Sequence, residues 1–322
     1  MFFKKTIKNY ADGLFVVGGY WHEKRKQKGR DFVEKAVHDK NALVKNYIIP
    51  LLGNYPPAKL THKIVNNKLF ALNLAPATKN KILSCLSDIY THLIEEEIIK
   101  KNPLNGILRF CGQKNKRGIL SPDEMNKLFP QDRAELLKIW GSQVYLTAFL
   151  VLKDTGLRPG ELRALQWGDW SLELKFFPIM KAIEANTRAK LKGTKTGRVK
   201  PALVTAFTAE QIETLKSERL FILPDDFIFL SHYGKPISDS ILSQRFREGV
   251  KRAGIDRPEI TPYWLRHTFN TRMLETLPDD IVRKLMGHSS TSMTQYYRHA
   301  DVFSLQREAV KISEKITKLS AA

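Results

Sequence analysis

The sequence predicts a mainly α-helical protein of two domains, with a small β-sheet in the second. Three observations carry that prediction. The chain has 322 residues, enough for about two ordinary domains. A helical apolar stripe runs between Thr78 and Lys100. Two segments, 171–179 and 199–206, read as extended among helical surroundings. Apolar residues make up 43% and charged residues 27%, the balance of a soluble globular chain rather than a disordered or fibrous one.

Residues 7–110 read as mainly helical. One helix is expected from Asp31 to about Tyr47, stopping near Pro50. In a second, Ile82, Leu86, Ile89 and Leu93 recur at intervals of four, three and four, which lines one face of a helix. That helix is expected to end before Asn102-Pro103, because proline disfavours helical geometry in its predecessor. The stretch Phe110 to Leu120 has little periodicity and reads as a linker. Ser121-Pro122-Asp123-Glu124 then restarts the chain as a helix, with serine as N-cap, proline in the first turn and an acid at the third position. The expected domains are 1–110 and 121–322, joined by 111–120. The second opens with an apolar helix from Gln143 to Asp154. Lys195-Thr196-Gly197-Arg198 places a glycine where a hairpin turn often needs a positive φ, and the chain reads as helical again after Ile260. From Asp301 to Lys318 a terminal helix carries Leu305, Ala309, Ile312, Ile316 and Leu319 on one stripe.

Lys+Arg number 53 against 33 Asp+Glu, a net charge of +20. Such a surplus suggests a polyanionic partner, since neutralising phosphates releases condensed counterions. The first 120 residues hold 22 of the bases and only 9 of the acids, so the excess concentrates at the N-terminal end. Lys24, Arg25, Lys26, Lys28 and Arg30 form its densest cluster, and Lys114, Lys116 and Arg117 extend it into the linker. A solvated face is the alternative for such a run alone; the bias of the whole segment makes these eight residues candidate DNA contacts. The longest strongly apolar stretch, Val144 to Leu152, is far too short to span a bilayer, and Gly13 to Trp21 is too glycine-broken for a signal peptide. The two cysteines, Cys85 and Cys111, lack ligand-like spacing. They argue against a disulfide scaffold or a zinc site and fit a reducing cytoplasm. The chain has no GxxxxGK[ST] loop and shows no carboxylate cluster to hold a metal.

Four segments of the second domain carry reactive side chains. Thr155-Gly156-Leu157-Arg158-Pro159-Gly160-Glu161-Leu162 sets an arginine on a turn before a helix, where amides and a guanidinium suit a phosphate. Lys195 sits in the expected hairpin turn. Thr261-Pro262-Tyr263-Trp264-Leu265-Arg266-His267-Thr268 supplies a second arginine. Leu285-Met286-Gly287-His288-Ser289-Ser290 precedes Thr294-Gln295-Tyr296-Tyr297. Each segment alone is as compatible with a cap, a solvated turn or core packing as with chemistry.

In their order and spacing the four together resemble the tyrosine recombinases, the phage integrase family. Arg158 matches the first arginine in its turn-then-GE setting, and Lys195 the hairpin lysine. Arg266, followed by His267 and Thr268, matches the second arginine, and His288 the histidine of the GHSS motif. Tyr297, nine residues after His288 and three after Thr294, matches the nucleophile. Residues 7–110 resemble the family's helical, SAM-like core-binding domain, and 121–322 its mixed α/β catalytic domain. The core-binding resemblance begins near Ile7, so the small N-terminal arm-binding domain of some members is expected to be either absent or removed.

The resemblance implies a site-specific recombinase of the integrase or transposase type. It would cut double-stranded DNA at a specific core site through a 3′-phosphotyrosyl link, without cofactor or metal. Its helix 301–319 would dock on a neighbouring protomer within a tetramer; packing on its own domain is the alternative. Arg158 and Arg266 would clamp the non-bridging oxygens, Lys195 would protonate the leaving 5′ oxygen, and His288 would hydrogen-bond the phosphate or orient the nucleophile. Tyr263 departs from the pattern, standing where the family commonly has histidine. A phenol with a pKa of about 10 donates hydrogen bonds but is a poor base near neutrality. Two alternatives fit the same residues: a type IB topoisomerase-like nicking-closing enzyme, and a non-catalytic DNA-binding protein on the same fold.

Overall fold

The computed structural model describes residues 5–28, 34–112, 118–183, 191–193, 199–278, 281, 282 and 285. The chain forms two compact units, Met1–Asn115 and Lys116–Ala322, each with its own apolar core.

The first unit is helical: α1 (Ile7–Ala11), α2 (Tyr20–Gln27), α3 (Glu34–Leu43), α4 (Ile49–Leu52), α5 (His62–Phe70) and α6 (Pro76–Glu95). Helix α6 organises it. Proline opens the helix where a missing N–H costs nothing, and Ile82, Leu86, Ile89 and Leu93 are all buried. The Tyr90 hydroxyl, buried with them, donates to the Pro57 carbonyl at 2.8 Å.

Two helix ends differ from expectation. Helix α6 stops at Glu95, ahead of Asn102-Pro103, because Glu97 adopts a left-handed φ of 56° and Ile98 N–H turns back to the Leu93 carbonyl at 2.9 Å. Asn102 instead shapes a turn, its Oδ1 accepting from Leu104 N–H at 2.9 Å. Nor does Pro50 stop the preceding helix. A π-turn over Val44–Ile48 shifts the bonding register, so that Ile49 N–H donates to the Val44 carbonyl. Pro50 then falls in the first turn of α4, where its absent N–H is tolerated.

The second unit runs α7 (Pro122–Leu128), α8 (Arg133–Trp140), α9 (Gln143–Thr155), α10 (Pro159–Arg163), β1 (Phe176–Ile179), β2 (Lys181–Ile183), β3 (Leu191–Gly193), β4 (Lys200–Leu203), α11 (Ala206–Ser217), α12 (Asp239–Arg252) and α13 (Pro262–Thr276). The capping box at Ser121 forms as expected: Glu124 N–H donates to the serine hydroxyl and Ser121 N–H to the glutamate carboxylate. Helix α9 is buried almost throughout. Its Phe149 packs with Trp140 and Phe246 at ring-centroid separations of 4.4 and 5.2 Å.

The described strands form two small antiparallel sheets of two strands each. Strand β1 pairs with β4 from Phe176–Leu203 to Ile179–Lys200, and β2 with β3 from Lys181–Gly193 to Ile183–Leu191. Both extended segments are shorter than expected. Residues 171–175 form a turn that needs a left-handed Lys175, φ 48°, and Thr205 leaves the strand to cap α11 through Thr208 N–H. Among the described residues no helix is long and apolar enough to cross a membrane.

Gly156 is where two elements meet. It ends α9 in the left-handed region, φ 59°, and a Cβ there would lie 2.5 Å from Phe269 Cδ1 on α13. Backbone conformation and close approach therefore both demand glycine. Gly156→Ala is expected to cost about 1–3 kcal/mol, read as a lower urea midpoint for the unfolding of the second unit. An unchanged midpoint would show that this junction is not strained.

Candidate active site

The site is built around the end of α9. After Gly156 the chain buries Leu157 and turns, placing Arg158 at the N-cap of α10. Glu161, one turn into α10, reaches back. Its Oε2 accepts from Arg158 N–H at 2.9 Å and its Oε1 from the Arg158 guanidinium at 2.8 Å. One carboxylate thus caps the helix and aims the arginine. Gly160 lets α10 lie against β2, since a Cβ there would stand 2.7 Å from the Ile183 carbonyl oxygen.

Helix α13 delivers the second arginine. Arg266 donates to the Gly156 carbonyl at 2.6 Å. Its residue is only 6% exposed, whereas the Arg158 side chain is 45% exposed. Arg266 is therefore held from behind, and Arg158 opens to solvent. Burial, and then the like charge of Arg158, push Arg266 down to about 10, while Glu161 opposes the shift. The two guanidiniums thus share one electrostatic neighbourhood, which favours an anion.

Tyr263, one turn earlier on α13, lies in the same field. Its phenol is raised above the usual range, chiefly by burial and then by Asp239, while Arg158 and Arg266 pull the other way. At neutral pH it is a hydrogen-bond donor, not a base.

Sequence reasoning missed two members of this cluster. Glu161 stood inside the quoted motif, and its spacing from Arg158 is that of a capping-box acid. Lys200 carried no signal: it opens a strand and its side chain is 4% exposed. Its ammonium donates to Glu161 Oε2 at 3.0 Å. Burial pushes it down to about 8, Glu161 supports its charge, and Arg266 and Arg158 oppose it. Glu161 is held below the usual carboxylate range because Lys200 and Arg158 together outweigh its burial. Lys195, His288, Tyr296, Tyr297 and the segment 301–319 lie outside the described residues.

In the first unit, α2 carries three of the expected DNA contacts, Lys24, Arg25 and Lys26, and Lys28 is its C-cap. Two are already engaged. Lys24 pairs with Glu95 at 2.5 Å; Arg25 pairs with Asp88 at 3.4 Å and lies over the Trp21 ring. Lys26 and Lys28 are exposed. Spacing could not separate these pairs, because the acids come from α6. Arg30, Lys114, Lys116 and Arg117 lie outside the described residues. Among the described residues no group of three or more His, Cys, Asp or Glu could hold a metal ion.

The phage integrase family matches residues 119–302, a span that contains Arg158, Arg266 and Tyr263. The chain is 27% identical to the tyrosine recombinase XerC of Pediococcus pentosaceus over 77% of its length and 80% of that protein's. It is 30% identical to the tyrosine recombinase XerC of Escherichia coli O127:H6 over 68% of each chain. Among solved structures, its fold resembles the Tn1549 transposon integrase in complex with a circular intermediate DNA, with a TM-score of 0.69 at 20% identity over 96% of this chain and 99% of that one. It also resembles a lambda integrase tetramer bound to a Holliday junction, with a TM-score of 0.64 at 20% identity over 89% of this chain and 79% of that one. With more than half of its length matched and its two arginines brought into one anion-seeking cluster, this chain belongs to the phage integrase family, the tyrosine recombinases.

Proposed function

We propose that the protein is a site-specific DNA recombinase that cuts and rejoins duplex DNA by transesterification through Tyr297. The observation that carries this reading is the convergence of Arg158 and Arg266, from distant segments of the second unit, on the turn that follows Gly156. A phosphodiester repels nucleophiles, and in-line attack spreads further charge over its non-bridging oxygens. Two positioned guanidiniums meet that charge with donors already in place, each worth about 3–4 kcal/mol when removed.

In the proposed step the Tyr297 hydroxyl loses its proton to water and its oxygen forms a bond to phosphorus as the bond to the 5′ oxygen breaks. The product is a 3′-phosphotyrosyl link. Lys195 hands a proton to the leaving 5′ oxygen, and His288 bonds a phosphate oxygen or orients the tyrosine. The phosphoester count is unchanged, so attack by a partner strand's 5′-hydroxyl reverses the step without an energy source. Tyr263 donates to the phosphate where a histidine would also exchange protons.

Residues 1–110 serve as the DNA core-binding domain and 121–322 as the catalytic domain. Lys26, Lys28, Arg30, Lys114, Lys116 and Arg117 grip phosphates, and Lys24 and Arg25 reach DNA only by exchanging their acidic partners. The terminal stripe of 301–319 docks on a neighbouring protomer in a tetramer on paired sites. The proteins it resembles include an integrase of a transposon and a lambda integrase tetramer on a Holliday junction, which supports a role in mobile-element integration, in the cytoplasm.

Tyr297→Phe is expected to abolish the covalent adduct with a nicked suicide duplex, as resolved on a denaturing gel, while Tyr296→Phe retains it. The reverse pattern would move the nucleophile to Tyr296. Loss of recombinant products with intact relaxation of supercoils by the unaltered protein would favour the topoisomerase alternative, and absence of any adduct a purely DNA-binding one. Tyr263→His is expected to raise the single-turnover cleavage rate several-fold by restoring a proton-exchanging group, short of the ~10²–10⁴-fold of full acid–base assistance. An unchanged rate would show that the phenol serves as well as imidazole.

A further inference from the structure

Lys200 is the costliest kind of residue to place where it stands. Its side chain is 4% exposed, and the next two residues of β4, Pro201 and Ala202, are buried as well. An apolar side chain would suit such a position. Both nearby arginines oppose its charge, and Glu161 supports it. Capping of α10 does not require it, because Glu161 already accepts the Arg158 amide.

What Lys200 adds is a third point of attachment. Glu161 Oε1 holds the Arg158 guanidinium at 2.8 Å. Oε2 takes the Arg158 amide at 2.9 Å and the Lys200 ammonium at 3.0 Å. The terminal torsion of a glutamate is otherwise broad. With Lys200 in place Oε2 is held by two donors rather than by the Arg158 amide alone, which fixes the carboxylate plane and the guanidinium hanging from it. Lys200 also opens the strand that follows the Lys195 turn in sequence, so the same contact ties β4 to the Arg158 turn.

We propose that Lys200 is a positioning residue for strand cleavage: its ammonium locks the Glu161 carboxylate in the orientation that presents Arg158 to the scissile phosphate. Lys200 is not itself a proton donor to the DNA, since it is enclosed and its ammonium faces Glu161. The proposal rests on the reading that Arg158 clamps that phosphate.

The test is single-turnover cleavage of a nicked suicide duplex by the full chain at saturating protein, alongside DNA affinity by gel shift. Lys200→Met is expected to slow cleavage by about 10- to 100-fold, the usual cost of losing a supporting partner, with affinity unchanged. Lys200→Arg, which keeps a cation for Glu161, should recover most of the rate. Lys200→Met combined with Glu161→Gln should be no slower than Glu161→Gln alone, because both act through one carboxylate.

A duplex with a 5′-bridging phosphorothiolate needs no proton on its leaving group, so the Lys200→Met defect should persist on it. Recovery on that substrate would make Lys200 a proton donor and overturn the proposal, as would a wild-type rate for Lys200→Met. If Lys200→Met does not fold, Lys200→Ala, which likewise leaves Glu161 without that donor, takes its place with the same two contrary outcomes. Arg158→Ala separates the two layers. A wild-type rate for Arg158→Ala removes the underlying reading, whereas a slow Arg158→Ala beside a wild-type-rate Lys200→Met removes only the role of Lys200.

Discussion

Two guanidiniums held in one neighbourhood repel each other, and the architecture around Arg158 and Arg266 overcomes that repulsion before any phosphate arrives. Glu161 supplies the opposing charge. Its carboxylate sits on α10 with its side chain only 6% exposed and engages the first arginine twice. The second arginine is pinned from behind by the Gly156 carbonyl. Gly156 therefore serves both arms of the site. It is the left-handed stop of α9 that starts the Arg158 turn, and it is the acceptor that fixes Arg266.

This arrangement explains why the site sits on rigid elements. Donors aimed at developing charge are effective in proportion to how little they must reorganise during the reaction. Arg266 projects from a long helix whose Thr268 hydroxyl also accepts from Leu120 N–H at 2.9 Å, tying α13 to the first residues of the second unit. Gly118 is packed so closely on Trp264 that a Cβ would stand 2.0 Å from the ring. Arg158, more open, is the arm that can meet the ligand. Tyr263 lies between burial, which raises its pKa, and two arginines, which lower it. It stays protonated across the neutral range, a donor rather than a base.

Local chemistry was legible in the sequence, and contacts between distant segments were not. The Ser121 capping box and the α6 stripe depend on residues a turn apart, and both form as read. Pro50 misled because a π-turn upstream changes which N–H groups need partners, and no local pattern announces that. The end of α6 was misplaced because a left-handed Glu97, not a glycine or proline, terminates it. Arg158 and Arg266 were found through motif order, yet nothing in either motif indicates that Glu161 and Lys200 complete the cluster. A lysine in a short strand looks like a solvent-facing residue until the strand is placed. Lys24 and Arg25 looked like free charges for the same reason, since Glu95 and Asp88 are far away along the chain.

The central claim is that Arg158 and Arg266 act by neutralising the scissile phosphate. A methylphosphonate at that single position removes its negative charge and nothing else of comparable size. Cleavage by Arg158→Ala and by Arg266→Ala should be slowed about 10²- to 10³-fold on the ordinary duplex. On the methylphosphonate duplex most of that deficit relative to the unaltered protein should disappear. A deficit of equal size on both substrates would mean that the arginines hold the fold rather than the phosphate, and would contradict this account.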